Sequence, residues 1–168
     1  AYRAVPSQFW RQFRMPPTLA ADSAKGTAAK AYPKPYDDVR VREAVVRAID
    51  SKQALDFVHS GDGVLANGPI LPIYPLWALK DNYQQTDLKK AKELLSAAGM
   101  SGGHKDTLVW ASQGSTVNDQ TAEVLKQQLK EIGWDLTLQP MDTTPYYNKI
   151  YAWDYTLAHH VPLNNPDP

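Results

Sequence analysis

A chain of 168 residues, 43% of them apolar, is long enough to hold one good core that buries roughly 70% of its unfolded surface. Eighteen lysines and arginines balance 18 aspartates and glutamates, which argues against a nucleic-acid protein, and no basic run marks a partner for an anionic membrane. With no cysteine, no 18-residue apolar stretch and no signal-like start, neither disulfides, thiol nucleophiles and zinc knuckles nor a membrane span is expected.

Residues 1–37 read as irregular. "AYRAVPSQFWRQFRMPP" has aromatics without a period, and "AADSAKGTAAKAYPKPY" is small, basic and broken by proline, which fits a mobile arm or a strand torn from its neighbours. The first organised stretch is "PYDDVRVREAVVRAIDSKQAL", residues 35–55. Asp37 and Asp38 offer side-chain oxygens to the first turn of a helix. Val41, Ala44, Val45, Ala48 and Ile49 recur at helical spacing as one apolar face, while Glu43 and Arg47 form a favourable i,i+4 pair off it. Ser51 recaps a second short helix through Leu55 and Val58.

The stretch "GVLANGPILPIYPLWALKDNYQQ" is too rich in proline for a regular element. Thr86 or Asp87 then caps "LKKAKELLSAAG", which Gly99 stops. "TLVWAS" reads as a short strand, and "TVNDQTAEVLKQQLKEIG" as the longest helix, with Ala122, Leu125, Leu129 and Ile132 inward and Gly133 ending it. "WDLTLQPM" alternates like a half-buried strand. Pro145 suits the first turn of a helix through Ile150, and "DYTLAHHV" is a last strand. This alternation predicts an α/β fold with a small sheet and no internal repeat.

Each chemical candidate has a plainer reading beside it. His159 and His160 are adjacent in a strand, so their side chains point to opposite faces and do not readily share a metal. His59 and His104 sit beside glycine-rich loops and read as surface histidines. Asp142, Asp154 and Asp167 have no nucleophile paired with them, and turn or capping roles suit them better. "GDG" at 61–63 and "SGG" at 101–103 lack the strand-before, helix-after context of a phosphate loop and read as turns. Trp77, Trp110, Trp134 and Trp153 read mostly as core.

Five blocks taken together carry a resemblance: "KPYDDVRVREAVVRAIDSKQAL", "SGDGVLANGPILP", "DLKKAKELLSAAGM", "QTAEVLKQQLKEIGWDLTLQPMD" and "WDYTLAHHVPLNNPDP". In order and spacing, over roughly residues 32–168, they resemble the large extracytoplasmic solute-binding proteins of oligopeptide and dipeptide ABC importers, solute-binding protein family 5. The resemblance implies a periplasmic-binding-protein-like lobe, a small mixed sheet flanked by helices. It covers the second lobe alone (32–168), with residues 1–31 an irregular arm or a divergent lobe entry. It further implies binding rather than catalysis, no cofactor and no nucleic acid. The partners are a peptide-like or other polar solute (an oligosaccharide among them), a membrane permease and the missing first lobe. The location is periplasmic or otherwise extracytoplasmic, with a lipid anchor as one form of the full-length protein. Asn164, His160, Gln113 and Asn67 are the implied ligand contacts. Asn164, or Asn165 across a one-residue gap, falls where peptide-binding members commonly carry an aspartate that meets the peptide's α-amino group. Two alternatives stay open: a nickel-type metal or metal-chelate binder of the same fold, and an unrelated α/β interaction module. Finding the 35–55 helices packed away from any sheet would favour the second.

Overall fold

The computed structural model describes residues 12–15, 32–65, 85–112 and 114–161, together with the isolated residues 76, 78 and 80. Within them the chain runs β1 (Gln12–Arg14), α1 (Val39–Arg47), α2 (Ser51–His59), α3 (Leu88–Ala97), β2 (His104–Ala111), α4 (Thr116–Lys130), β3 (Trp134–Met141), α5 (Thr143–Tyr151) and β4 (Leu157–His160). The four strands make one mixed sheet in the order β1-β4-β2-β3. β4, β2 and β3 run parallel, and β1 closes the edge antiparallel to β4. The expected α/β lobe, a small mixed sheet flanked by helices, is the architecture found.

The helix boundaries follow local chemistry. Asp38 caps α1 by accepting from the Arg40 N–H, and Asp87 caps α3 by accepting from the Lys90 N–H. The cap of α2 is Asp50, which accepts from the Gln53 N–H, and not Ser51, which is the first helical residue. Glu43 and Arg47 pair at 2.8 Å as their spacing predicts. Gly99 and Gly133 follow α3 and α4 in the left-handed region. β1 lies in the stretch read as irregular, a mobile arm or a strand torn from its neighbours, and of those two readings the strand is what is found at Gln12, Phe13 and Arg14, which pair with His160, His159 and Ala158.

Two apolar layers cover the sheet. On one face Val41, Ala44 and Val45 of α1, Ala91 and Leu95 of α3, and Ala122, Leu125 and Leu129 of α4 pack with Leu108, Trp110, Trp134, Leu136 and Leu157. The 35–55 helices therefore do not stand apart from the sheet: α1 shares its core, and α2 lies against α4. On the other face α5 brings Tyr146 and Ile150 onto Val109, Tyr155 and Ala158. β2 and β3 begin together where the His104 N–H donates to the Gly133 carbonyl at 3.0 Å. Gly103 and Gly133 both have positive φ there, and a Cβ on Gly103 would stand 2.4 Å from the Gly133 oxygen, so only glycine fits.

Candidate functional site

The register builds one end of the sheet into a shared rim. Ala111 pairs with Met141, and Trp110 with His159, so Ala111, Met141 and His160 stand in one row at the carboxyl ends of β2, β3 and β4. α4 and α5 start just beyond that row, on opposite faces of the sheet. In open α/β sheets the crevice outside the strands' carboxyl ends is where ligands bind. A separate groove of about 500 Å³ between α5 and β3 is lined by Thr107, Val109, Gln139, Lys149, Trp153 and Thr156 among others, and by none of the row residues.

The first turn of α4 braces the end of β2. Asp119 Oδ1 accepts from Trp110 Nε1 at 2.8 Å and from the Ser112 hydroxyl at 2.9 Å. Asn118 Nδ2 donates to the Ala111 carbonyl at 2.9 Å, and the Ser112 N–H donates to the Met141 carbonyl at 3.1 Å. A short strand end that would otherwise fray is thereby held from two sides.

His160 ends β4 on the α5 face and is buried, with 7% of its surface exposed. Its ring lies stacked over Tyr146 at 5.9 Å and meets Tyr147 edge-on at 5.9 Å. Nδ1 is 3.0 Å from the oxygen of the Tyr146 hydroxyl, and that hydroxyl donates to the His159 carbonyl at 2.9 Å. Burial, with the Arg14 charge added to it, pulls the His160 pKa down to about 4, so the imidazole is neutral at neutral pH. His159 pairs with Trp110 and so lies on the opposite face from His160. Among the described residues no three His, Cys, Asp or Glu side chains come close enough to hold a metal ion.

Of the four contacts drawn from the sequence, His160 is on the rim, whereas Asn67, Gln113 and Asn164 lie outside the described residues, as do Asn165, Asp167 and Trp77. His104 is not a surface residue: it is half-buried with its ring 4.9 Å from that of Trp134, and His59 is half-buried too. Asp154 pairs with Lys149 at 2.7 Å, and Asp142 occupies the α5 cap position without a side-chain cap bond. Tyr146 and Asp119 escaped the sequence reading. A signal existed for Tyr146, since Tyr146 and Ile150 share the inward face of a helix, and a buried phenol needs a partner for its hydroxyl.

Comparison with known proteins bears on the family and the fold. The family model described as bacterial extracellular solute-binding proteins, family 5 Middle, matches residues 12–168. The glutathione-binding protein GsiB of Pectobacterium atrosepticum is 32% identical over 109 residues, which is 65% of this chain and 21% of that protein. The oligopeptide binding protein of Thermus thermophilus, solved with a pentapeptide, has a TM-score of 0.75 at 18% identity, covering 98% of this chain and 29% of its own. AgaA of A. tumefaciens, solved with agropinic acid, has a TM-score of 0.74 at 22% identity, covering 94% of this chain and 30% of its own. The chain thus spans well under half the length of each, and the two structural likenesses are likenesses of fold. The chain belongs to the bacterial extracellular solute-binding proteins, family 5.

Proposed function

We propose that residues 32–168 are the second lobe of a two-lobed solute-binding protein that serves an ABC importer outside the cytoplasm. The lobe closes with a first lobe over a peptide-like or other polar solute and presents the closed form to a membrane permease. The observation that carries this reading is the row Ala111, Met141 and His160 at the strands' carboxyl ends, in a chain of this family. Binding suits the site better than catalysis. Within the row of Ala111, Met141 and His160 the titratable group is His160, which is buried, neutral and engaged by a phenol, and Asp154 is tied up in an ion pair. Asn67, Gln113 and Asn164 complete the proposed contacts.

Asn164 narrows the solute. Where peptide-binding members commonly carry an aspartate, this chain has an amide, which keeps the size and one acceptor but loses the charge. Two unit charges at 4 Å are worth ~4 kcal/mol at an effective dielectric near 20, before desolvation is subtracted. The natural solute therefore lacks a free ammonium at this point or presents it elsewhere, as a blocked peptide or an oligosaccharide does. Titration of the full-length protein with free and N-acetylated peptides tests this. Little discrimination is expected in wild type, with a gain for the free amine in Asn164→Asp. A strong free-amine preference in wild type that Asn164→Asp leaves unchanged sinks the reading.

A further inference from the structure

The proton count around Tyr146 determines what His160 offers to a ligand. The Tyr146 hydroxyl carries one hydrogen and has two close partners, the His159 carbonyl oxygen at 2.9 Å and His160 Nδ1 at 3.0 Å. A carbonyl only accepts, so the hydroxyl hydrogen is spent on it. The contact with Nδ1 is then favourable only if Nδ1 carries the imidazole proton and donates to the phenol oxygen. Neutral imidazole has one N–H, so Nε2 is left as a bare acceptor. Among the described residues Nε2 has no hydrogen-bond partner, and it is not among the fully enclosed unpartnered atoms. The ring itself cannot turn over freely, because Tyr146 stacks on its face and Tyr147 abuts its edge. Tyr146 is in turn fixed, with 1% of its surface exposed, between Val109, Ile150 and Ala158.

From this geometry we infer that Tyr146 is a positioning residue that locks His160 in its Nδ1–H form. The end of β4 thereby presents the Nε2 lone pair to an N–H or O–H donor of the solute. The burial that keeps the ring uncharged supports the same state, since a protonated ring would have no acceptor to offer. The group this position reads is a neutral or cationic donor, and a carboxylate or carbonyl oxygen facing it would meet lone pair against lone pair. This deepens the proposed solute site and rests on it for the identity of the occupant, but the tautomer itself does not depend on any solute.

The experiment uses the full-length protein with histidine nitrogens labelled and observed by NMR. In wild type, His160 is expected to be neutral with its proton on Nδ1. In Tyr146→Phe, which keeps the ring and loses the hydroxyl, the Nε2–H form is expected to gain population. A wild type with the proton on Nε2, or a tautomer unchanged in Tyr146→Phe, overturns the assignment, and the wild-type spectrum alone decides should the variant fold poorly. The solute side is read by titrating tri-alanine and maltotriose, both rich in donors, into wild type, His160→Gln and His160→Phe. Glutamine can still accept through its amide oxygen and should retain affinity within a few-fold. Phenylalanine cannot, and should weaken binding roughly tenfold, the size of one hydrogen bond. Equal affinity in all three overturns the acceptor role. A wild type that takes up neither probe yet shows the Nδ1–H form leaves the lock standing and counts against the solute classes proposed above.

Discussion

The Tyr36 hydroxyl donates to the Asp106 carboxylate, 70 residues along the chain, and the pair ties the entry of the lobe to the amino-terminal half of β2. Trp134 Nε1 donates to the same phenol oxygen at 3.0 Å, while the Thr156 hydroxyl and the Thr107 N–H donate to the other carboxylate oxygen. Tyr36 is completely buried, and that burial, with the neighbouring carboxylate, pushes its phenol pKa up, so the hydroxyl keeps its proton and remains a donor. Tyr36→Phe keeps the ring but strands the Trp134 N–H and one carboxylate oxygen. Leaving such groups unsatisfied costs about 1–3 kcal/mol. The urea midpoint should fall accordingly with the slope unchanged, and a midpoint equal to wild type would show that the network is dispensable.

Gly103 and Gly99 allow a controlled comparison. Both have positive φ, +79 and +76, but a Cβ on Gly103 meets the Gly133 carbonyl oxygen while one on Gly99 meets nothing within 4 Å. Gly99→Ala should therefore lose only the left-handed penalty of about 1–2 kcal/mol. Gly103→Ala must also push apart the first β2–β3 contact, where the His104 N–H donates to that same oxygen. A Cβ pressed against a carbonyl oxygen is itself worth about 1 kcal/mol or more, and the loss in Gly103→Ala should exceed that in Gly99→Ala by at least this much. Equal melting temperatures for the two variants contradict the close approach.

What the sequence made legible is what short-range chemistry controls. Asp38, Asp87, Gly99 and Gly133 mark helix ends through bonds to residues a few positions away, and the apolar faces of α1 and α4 follow from spacing alone. The error at Asp50 and Ser51 is of the same local kind. Two adjacent residues were competent to cap, and only the structure shows that it is Asp50 whose oxygen reaches the Gln53 N–H. The pairing of β1 was illegible because three residues carry no period, and it depends on β4 at the far end of the described chain. The sheet order was equally hidden, since β4 inserts between β1 and β2. At the site, "HH" at the end of a strand was visible, but the phenol that governs His160 comes from α5 and becomes its neighbour only through the fold.

The buried imidazole has a consequence for stability against pH. His160 has a folded pKa of about 4, below the ordinary histidine value of about 6.5, so as pH falls the unfolded chain takes up the proton first. Stability from this group is complete above about pH 6.5 and is lost down to about pH 4, with a slope of at most about 1.4 kcal/mol per pH unit. Among the described residues, the side chains set against the ring are Tyr146 and Tyr147 from α5, with the Arg14 guanidinium of β1 acting on it through its charge. His160→Phe should flatten the slope of stability against pH between about 4 and 6.5. An identical slope in the variant would place the acid sensitivity elsewhere.

Two polar braces hold opposite ends of β2, and they distinguish the proposed site from the rest of the lobe. Asp119 holds the carboxyl end through Trp110 and Ser112, and Asp106 holds the amino-terminal half through Tyr36 and Thr156. Each involves a buried or part-buried donor whose loss of a partner costs about 1–3 kcal/mol, so Asp119→Ala and Tyr36→Phe should lower stability to a similar degree. Their effects on solute uptake should differ. Asp119→Ala loosens the strand end beside Ala111, where contacts must be held to within fractions of an ångström to be useful. Tyr36→Phe leaves that end untouched. In full-length protein, at a temperature where both variants are folded, calorimetry with a solute that wild type binds should show affinity about tenfold weaker for Asp119→Ala and near wild type for Tyr36→Phe. Equal losses in both variants would mean that general loosening of the lobe governs affinity. A loss confined to Tyr36→Phe would move the site to the amino ends of the strands, and the row of Ala111, Met141 and His160 would no longer be its rim.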